Sequence, residues 1–295
     1  MAKRLLVFGL LGVLFPGFSG YGKEEVKITT REEPIRIAVS AMISPRETFV
    51  YYKAMLNHIG KKLKRPVELV QRETYAEVND LIEKGGIEIA FVCSGPYVEG
   101  KRKFGMELLA VPQVHGESVY YSYIIVHKGS PIKKFEELRG KKFGFTDPHS
   151  NTGCLVPKYE LAKMGELPET FFSKYVFTKS HDKSIKAVAQ NLVDGAAVDH
   201  LIWEYADATN PEFTSKTRVI KKLGPFGIPP VVVHPDYDLS AKEKIRKILL
   251  NMHKDEEGKY ILEKIFIDRF TIAKDSEYDS VRKMQKWLRE REIGI

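Results

Sequence analysis

The sequence is poor in the motifs that mark several large classes of protein. It has two cysteines in 295 residues, no zinc-finger spacing and no arginine-rich block. Its 47 basic residues exceed its 39 acidic ones, but the two signs are interleaved along the chain, which argues against a nucleic-acid partner. No stretch after residue 15 is apolar enough to span a bilayer. What is present is 43% apolar residues, enough for a sizeable core, and a net charge of +8 that suits a small anion.

The two cysteines, Cys93 and Cys154, each adjoin a segment predicted to be buried. Cys93 follows an apolar strand pattern at residues 87–92, and Cys154 begins a predicted helix. They fall on different lobes of the arrangement predicted below, where a disulfide would lock the lobes together. We interpret both as small buried residues without a disulfide.

The first twenty residues have the composition of a secretion signal. Residues 1–4 are basic, residues 5–15 form a short apolar run, and Pro16 ends that run before a group of small residues. We predict a signal peptide over residues 1–20, a flexible lead-in over residues 21–33 and a periplasmic location. An uncleaved membrane anchor is the alternative. A lipid anchor would need a cysteine, which this segment lacks.

Strand-like and helix-like runs alternate along the rest of the chain. Predicted strands span residues 35–39, 66–71, 87–92, 107–112, 120–127, 142–146, 175–177, 195–198, 219–223 and 228–233. Predicted helices span residues 45–63, 76–84, 130–138, 154–163, 180–192, 241–253, 256–265 and 278–289, with another starting at residue 94. This alternation predicts an α/β fold with largely parallel sheets.

The series of elements restarts after residue 128, which predicts two lobes. The first lobe is predicted over residues 34–127 plus 229–295, and the second over residues 128–228. The chain would cross between them near His127 and near Pro229. Ligands in such folds lie at the carboxyl ends of strands and in clefts between domains.

The segment from Asp147 to Gly153 is a turn between a predicted strand and a predicted helix. The first turn of a helix carries free backbone N–H groups and the positive end of the helix dipole. Ser150, Asn151 and Thr152 can cap that end or bind a ligand, and Gly153 allows a close approach to the backbone. The sequence therefore predicts an anion site here, with an ordinary capping turn as the alternative.

Several motifs occur along the chain in a characteristic order. They are Tyr120-Tyr121-Ser122 before residues 126–132, the anion segment 147–153 with residues 155–157, His181 with residues 187–189, residues 193–196, and residues 228–230. Their order and spacing resemble the periplasmic phosphate, phosphite and phosphonate binding proteins of ABC transporters, the PhnD-like family. The resemblance covers residues 34–290. It implies a type II periplasmic-binding-protein fold with a hinged cleft and an oxyanion ligand.

The same resemblance also implies the type of function, the cofactor requirement and the partner of the protein. It predicts a binding protein rather than an enzyme, without a cofactor or metal. It also predicts an inner-membrane ABC permease as partner and a monomeric state.

Individual site residues follow from matching this sequence to the family. Ser150, Asn151 and Thr152 resemble the cluster that holds the oxyanion, with Asn151 where a threonine is common. His181 resembles a ligand-facing histidine at a helix start. Tyr75 and Tyr120 resemble pocket tyrosines, although either could be plain core packing.

Two further candidates follow from their positions. Ser94 begins a helix on the first lobe, where it could contact the ligand or act only as an N-cap. Asp199 ends a strand, where it could accept a hydrogen bond from a protonated ligand oxygen or only cap or hinge the chain. Asp199 would discriminate against sulfate, which has no proton to donate.

The ligand is predicted to lack an amine. Family members that take aminoalkyl phosphonates surround the ammonium group with carboxylates. This chain has Pro229 and Pro230 where such a receptor can carry an aspartate, and Leu201 near a second such position. A buried ammonium without carboxylate partners is costly. We therefore predict a compact ligand: phosphate, phosphite or a small alkylphosphonate.

Two other functions remain open from the sequence. Cys154, His181 and Asp199 could supply the nucleophile, base and orienting acid of a thiol hydrolase, and Cys154 would gain thiolate character at a helix N-terminus. Alternatively, an exported sensor for the same ligands would pass the closed state to a signalling partner. The sequence does not separate such a sensor from a transporter receptor.

Overall fold

The computed structural model describes residues 33–291 and residue 293. The side chains of these residues are described as well, except those of residues 45–51. The signal peptide predicted for residues 1–20 lies outside the described residues, as does the lead-in up to residue 32. No helix in the described part of the chain is both long and apolar enough to cross a membrane.

Strands and helices alternate along these residues. The strands are β1 (Ile35–Val39), β2 (Val67–Gln71), β3 (Ile89–Phe91), β4 (Glu107–Gln113), β5 (Val119–His127), β6 (Lys142–Phe145), β7 (Lys174–Phe177), β8 (Gly195–Asp199), β9 (Thr217–Gly227), β10 (Val231–Val233) and β11 (Arg269–Thr271). The helices are α1 (Pro45–Leu63), α2 (Tyr75–Glu83), α3 (Ser94–Phe104), α4 (Val156–Lys163), α5 (Pro168–Phe171), α6 (His181–Ala189), α7 (His200–Thr209), α8 (Leu239–Asn251), α9 (Glu256–Lys264) and α10 (Asp279–Arg289).

The strands form two mixed sheets. The first has the order β11-β4-β10-β3-β1-β2, in which β1 pairs in parallel with β2 and β3 while β10 and β11 run antiparallel to their neighbours. The second has the order β7-β6-β8-β5-β9, with β6 parallel to β7 and β8, and β5 antiparallel to β8 and β9. The predicted parallel pairing therefore holds for three strands of each sheet.

The chain passes between the two sheets twice. It leaves the first sheet after β4 and enters the second with β5, and it returns through residues 228–230. The first crossing precedes the one predicted near His127, because β5 pairs with β8 and β9. Tyr120 therefore lies in the second sheet and not in the first.

Caps fix where the helices at the sheet edges begin. Thr74 and Glu77 form a reciprocal capping box, so α2 starts at Tyr75. Asp199 caps α7 by accepting a hydrogen bond from the Leu201 N–H at 2.8 Å. Tyr75, the first residue of α2, and Asp199, the N-cap of α7, are both predicted ligand-binding residues.

Aromatic packing anchors the strand that leads into the anion segment. Phe143 and Phe145 of β6 are buried with their rings 5.1 Å apart, and Phe143 stacks on Phe172 at 4.4 Å. Behind the segment, α10 packs against both α3 and α4, with the Trp287 ring 5.2 Å from that of Tyr159. The segment therefore projects from a rigid base.

Candidate functional site

The turn after β6 forms the centre of the site. Its backbone makes one π-helical turn from Asn151 to Leu155, which α4 continues, so the helical part starts three residues earlier than predicted. Ser150 is the N-cap, and its Oγ accepts a hydrogen bond from the Gly153 N–H at 3.0 Å. Because the Ser150 oxygen accepts this bond, its hydroxyl hydrogen is left to donate elsewhere.

Close packing fixes the shape of this turn. A Cβ at Gly153 would clash with the Thr146 side chain, and the Gly153 carbonyl accepts from the Thr146 N–H at 3.0 Å. The Ser122 hydroxyl donates to the Thr152 carbonyl at 2.6 Å. Gly153 is thus needed for packing, in addition to any close approach of a ligand.

His181 presents a nitrogen whose protonation follows from its neighbours. The Asp199 N–H donates to Nδ1 at 3.0 Å, and the Thr146 hydroxyl lies 3.1 Å from the same nitrogen. Because Nδ1 accepts from a backbone N–H, the hydrogen of the neutral ring lies on Nε2. Burial lowers the pKa of His181 to about 3, so the ring is neutral near pH 7. Nε2 is therefore a fixed donor, and it has no partner among the described residues.

Asp199 is a buried carboxyl group beside that histidine. Its Oδ1 accepts from the Leu201 N–H, and burial raises the pKa of Asp199 to about 7. The His200 Nδ1 lies 3.8 Å from Oδ1 but accepts from the Tyr121 N–H, and burial lowers the pKa of His200 to about 4. Asp199 therefore has no cationic partner in His200, and near pH 7 it can either accept or donate a hydrogen bond.

Tyr120 positions the Asn151 amide. The Asn151 Nδ2 donates to the Tyr120 hydroxyl at 3.0 Å, and that hydroxyl lies 3.6 Å from the Cys93 Sγ. The Asn151 Oδ1 is left without a partner among the described atoms. In this orientation one of the two Nδ2 hydrogens is donated to Tyr120 and the other stays available, so Asn151 can still donate; a half-turn of the amide would exchange Nδ2 with the unpartnered Oδ1.

Several buried polar atoms around this turn share one property: none has a hydrogen-bond partner within the described part of the chain. They are Ser40 Oγ, the Tyr75 hydroxyl, Asn151 Oδ1, Thr152 Oγ1, Ser180 Oγ and His181 Nε2. We call these six atoms the unpaired cluster. Each such atom costs roughly 1–3 kcal/mol if it stays unpaired. Their concentration at the carboxyl-end edges of the sheets indicates a ligand site.

The Tyr75 phenol completes the cluster from the first sheet's side. Burial raises the pKa of Tyr75 well above its ordinary value, and the nearby Ser150 hydroxyl offsets only part of that rise. The phenol therefore keeps its hydrogen and can donate.

Hydrogen bonds join the two sheets around the cluster. The Tyr75 N–H donates to the Asp147 Oδ2 at 3.3 Å, and the His181 N–H donates to the Met42 carbonyl at 3.0 Å. The Ser94 hydroxyl donates to the Gly227 carbonyl at 2.6 Å.

Ser94 has a different local role from the one predicted. It is the first residue of α3, whose N-cap is Cys93, so Ser94 does not cap the helix. Its hydroxyl is engaged with β9, and contact between Ser94 and a ligand stays a prediction.

Positive side chains contribute little inside the site. Among the described residues, the one Lys or Arg that is buried is Lys242, which pairs with Glu107 at 2.8 Å between α8 and β4. An anion in the unpaired cluster would be held by neutral donors and by the helix N-terminus.

The thiol-enzyme alternative does not fit this geometry. Cys154 is fully buried in an apolar cluster, and burial raises the pKa of its thiol to about 12, opposite to the thiolate character expected at a helix start. No hydrogen bond joins Cys154 to either nitrogen of His181 in the described structure: Nδ1 accepts from the Asp199 N–H, and Nε2 has no partner there. Cys93 and Cys154 are both buried free thiols, as predicted.

Among the residues that the structure describes, one group of side chains has the spacing of metal ligands: His58, Asp255 and Glu257. Lys61 and Lys62 already neutralise its carboxylates, with the Lys61 Nζ 2.8 Å from Glu257. The group is an ion-pair network between α1 and α9.

Comparison with known proteins identifies the family. The family model described as "ABC transporter, phosphonate, periplasmic substrate-binding protein" matches residues 37–278. The chain belongs to this family. The phosphonates-binding periplasmic protein of Escherichia coli K12 is 24% identical over 259 residues, which are 86% of this chain and 76% of that protein. The probable ABC transporter phosphite binding protein PhnD1 of Prochlorococcus marinus MIT 9301 is 26% identical over 200 residues, 61% of this chain and 65% of that protein.

Solved structures of the family share the fold. A binding protein component of an ABC phosphonate transporter from Pseudomonas aeruginosa aligns with a TM-score of 0.80 at 23% identity, covering 87% of each chain. PhnD1 from Prochlorococcus marinus in complex with methylphosphonate aligns with a TM-score of 0.79 at 18% identity, covering 86% of this chain and 98% of that one. The fold is that of a type II periplasmic binding protein, with two α/β lobes that each contain one sheet.

Three residues of the site, Ser40, Thr146 and Ser180, were not among the candidates predicted from the sequence. Thr146 contacts His181 Nδ1, and Ser40 and Ser180 contribute unpaired hydroxyls. Thr146 ends a predicted strand, Ser40 follows another, and Ser180 directly precedes His181, so all three lie where polar side chains face a ligand in α/β folds.

Proposed function

We propose that this chain is the receptor of an ABC importer for a phosphorus oxyanion: phosphate, phosphite or a small alkylphosphonate. The observation that carries the proposal is the unpaired cluster, above all the His181 Nε2–H. The names of the relatives agree with this range: the Escherichia coli protein is named for phosphonates, the Prochlorococcus protein for phosphite and a Mycolicibacterium smegmatis protein for phosphate import.

The proposed binding mode distributes donors over the oxyanion. His181 donates from α6, Ser150 and Thr152 donate from the anion segment, and Tyr75 donates from α2. A half-turn of the Asn151 amide would let the Tyr120 hydroxyl donate to Oδ1 and direct Nδ2 to the ligand. Neutral donors in a buried site hold an anion without the desolvation cost of a buried ion pair.

Asp199 would add discrimination between oxyanions. When ionised, it accepts a hydrogen from a protonated phosphate-type ligand and repels sulfate. Because the pKa of Asp199 is raised to about 7, this discrimination should weaken as the pH falls below 7.

Ligand capture would close the two lobes on each other. The crossings at residues 114–118 and 228–230 would act as the hinge, and the bonds from Ser94 to Gly227 and from Tyr75 to Asp147 would form on closure. A permease in the inner membrane would then receive the ligand from the closed receptor. The proposal includes export by a cleaved signal peptide at residues 1–20 and a monomeric receptor.

A thermal-shift screen tests this function. Phosphate, phosphite and methylphosphonate at millimolar concentration should raise the melting temperature, because a ligand that binds only the folded state stabilises it by mass action. Potassium chloride at matched ionic strength is the control. No shift with any of the three would overturn the proposal.

A further inference from the structure

We infer that the ligand site continues beyond the unpaired cluster into an apolar chamber that takes the hydrocarbon substituent of an organophosphonate larger than methylphosphonate. The inference rests on the proposed function, because it assigns the phosphonate group to the unpaired cluster. It extends the compact ligand predicted from the sequence.

The chamber is a cavity of about 470 Å³ between the two lobes. Met42, Tyr52 and Phe91 line it from the first lobe, and Leu201, Ile202 and Phe213 line it from the second. An apolar cavity of roughly 150 Å³ is enough to hold benzene. The chamber is therefore much larger than a methyl group requires.

Of the charged side chains along the chamber, Asp182, Glu204 and Lys186 already have partners, and Lys183 is exposed to solvent. The Asp182 Oδ1 accepts from the Ser44 N–H at 2.9 Å, and the Glu204 carboxylate accepts from the Tyr123 hydroxyl at 2.6 Å. The Lys186 Nζ lies 5.2 Å from the centre of the Phe213 ring. A hydrocarbon group can thus contact the apolar walls without desolvating a charged side chain that has no partner.

The chamber adjoins the unpaired cluster through two residues. Asp199 lines the chamber, while its N–H holds the His181 Nδ1. Met42 lines the chamber, while its carbonyl accepts the His181 N–H. At the same end, burial raises the pKa of the Tyr52 phenol to about 12, and the nearby Asp199 carboxylate adds to that rise. A ligand whose anionic group contacts His181 can therefore extend its substituent past Asp199.

Helix α7 forms one wall and provides a matched pair of test positions. Ala206 lines the chamber seven residues after Asp199, which corresponds to about 10 Å along a helix. Ala208 is on the same helix, exposed and outside the chamber. Ala206→Phe should fill the far end of the chamber, and Ala208→Phe adds the same group where the chamber is unaffected.

The experiment is calorimetric titration of the full mature chain with methylphosphonate and octylphosphonate at the same pH and salt. Each buried methylene should strengthen binding about fourfold, so octylphosphonate should bind at least tenfold more tightly than methylphosphonate. Its heat-capacity change should also be more negative. Ala206→Phe should remove this gain and leave methylphosphonate affinity within about twofold, whereas Ala208→Phe should keep the gain.

The outcomes separate this inference from the proposed function. If methylphosphonate binds but octylphosphonate binds no more tightly, the chamber inference is wrong and the receptor function stands. A gain that survives in Ala206→Phe also overturns it. If neither compound nor phosphate nor phosphite binds, the proposed function fails. Should Ala206→Phe fail to fold, the comparison of the two ligands and of their heat-capacity changes in the unmodified chain still decides the inference.

Discussion

Replacing His181 by asparagine or by glutamine separates the two roles of its ring: Nδ1 accepts from the Asp199 N–H, and Nε2 is proposed to donate to the ligand. Asparagine can place its amide oxygen where Nδ1 accepts from the Asp199 N–H, but it has no atom at the position of Nε2. Glutamine can place an amide N–H near Nε2 but leaves the Asp199 N–H without its acceptor. The protein offers this matched pair because the two ring nitrogens have distinct and identified partners.

The expected effect of His181→Asn is a loss of affinity with little loss of stability. Removing one hydrogen bond to a charged group costs about 1.5–3 kcal/mol, which is roughly 10- to 150-fold in Kd. His181→Gln should lose less affinity but more stability, because a buried backbone N–H is left unpaired at a cost of roughly 1–3 kcal/mol. Calorimetry with methylphosphonate and urea unfolding without ligand measure the two quantities.

The pH dependence tests the protonation state. Because burial lowers the pKa of His181 to about 3, the ratio of affinities of the unmodified chain and His181→Gln should be constant from pH 5 to pH 8, and ligand ionisation cancels in that ratio. A ratio that falls as the pH rises through about 6.5 would show that imidazolium is the donor. Unchanged affinity in His181→Asn would refute the binding mode.

Four further substitutions test neighbouring groups. Thr152→Val removes an unpaired hydroxyl, so it should lower affinity by about 1–3 kcal/mol yet leave the stability of the ligand-free protein equal or higher. Ser150→Ala should weaken binding by a similar amount and also remove a helix cap worth about 1 kcal/mol of stability. Equal affinity in the double variant and the unmodified chain would show that the turn is only a cap. Burial raises the pKa of Asp199 from 3.8 to about 7, so between these values the folded state binds a proton that the unfolded state does not. The free energy of unfolding, measured with urea, should therefore fall by an amount on the order of 4 kcal/mol as the pH rises from 4 to 7. Asp199→Asn should flatten that slope, and an unchanged slope would contradict the raised pKa. The hydrogen bond to Glu99 raises the pKa of His149, so the stabilisation from this pair is present below the ordinary histidine pKa and is lost as the pH rises through the raised value. Glu99→Gln should lower the pKa of His149 in an NMR titration. An unchanged His149 pKa would refute the pairing.

Much of the fold follows from local patterns in the sequence. The apolar runs that became β1, β6 and β8 predict buried strands, and the anion segment between β6 and α4 is marked by hydroxyl residues and Gly153. These features are local, since strand period and helix capping act over a few residues. The type II fold was predicted from the resemblance and is confirmed.

Features that depend on distant partners were harder to predict. Residues 119–127 have the same strand pattern whichever sheet they join, and only pairing with β8 and β9 places Tyr120 in the second lobe. Helix α7 was missed because Asp199 was interpreted as the end of a strand, although it also caps the helix that follows. The roles of the Asn151 amide and the Ser94 hydroxyl depend on Tyr120 and Gly227, which lie far away in sequence.

The central claim is that this chain binds a phosphorus oxyanion without an amine. Calorimetry near pH 7 with phosphate, phosphite, methylphosphonate, aminoethylphosphonate and sulfate tests it most directly. The account predicts that at least one of the first three binds most tightly, that aminoethylphosphonate binds more weakly, and that sulfate is excluded by ionised Asp199. Tightest binding of aminoethylphosphonate, or sulfate binding equal to that of phosphate, would contradict the account.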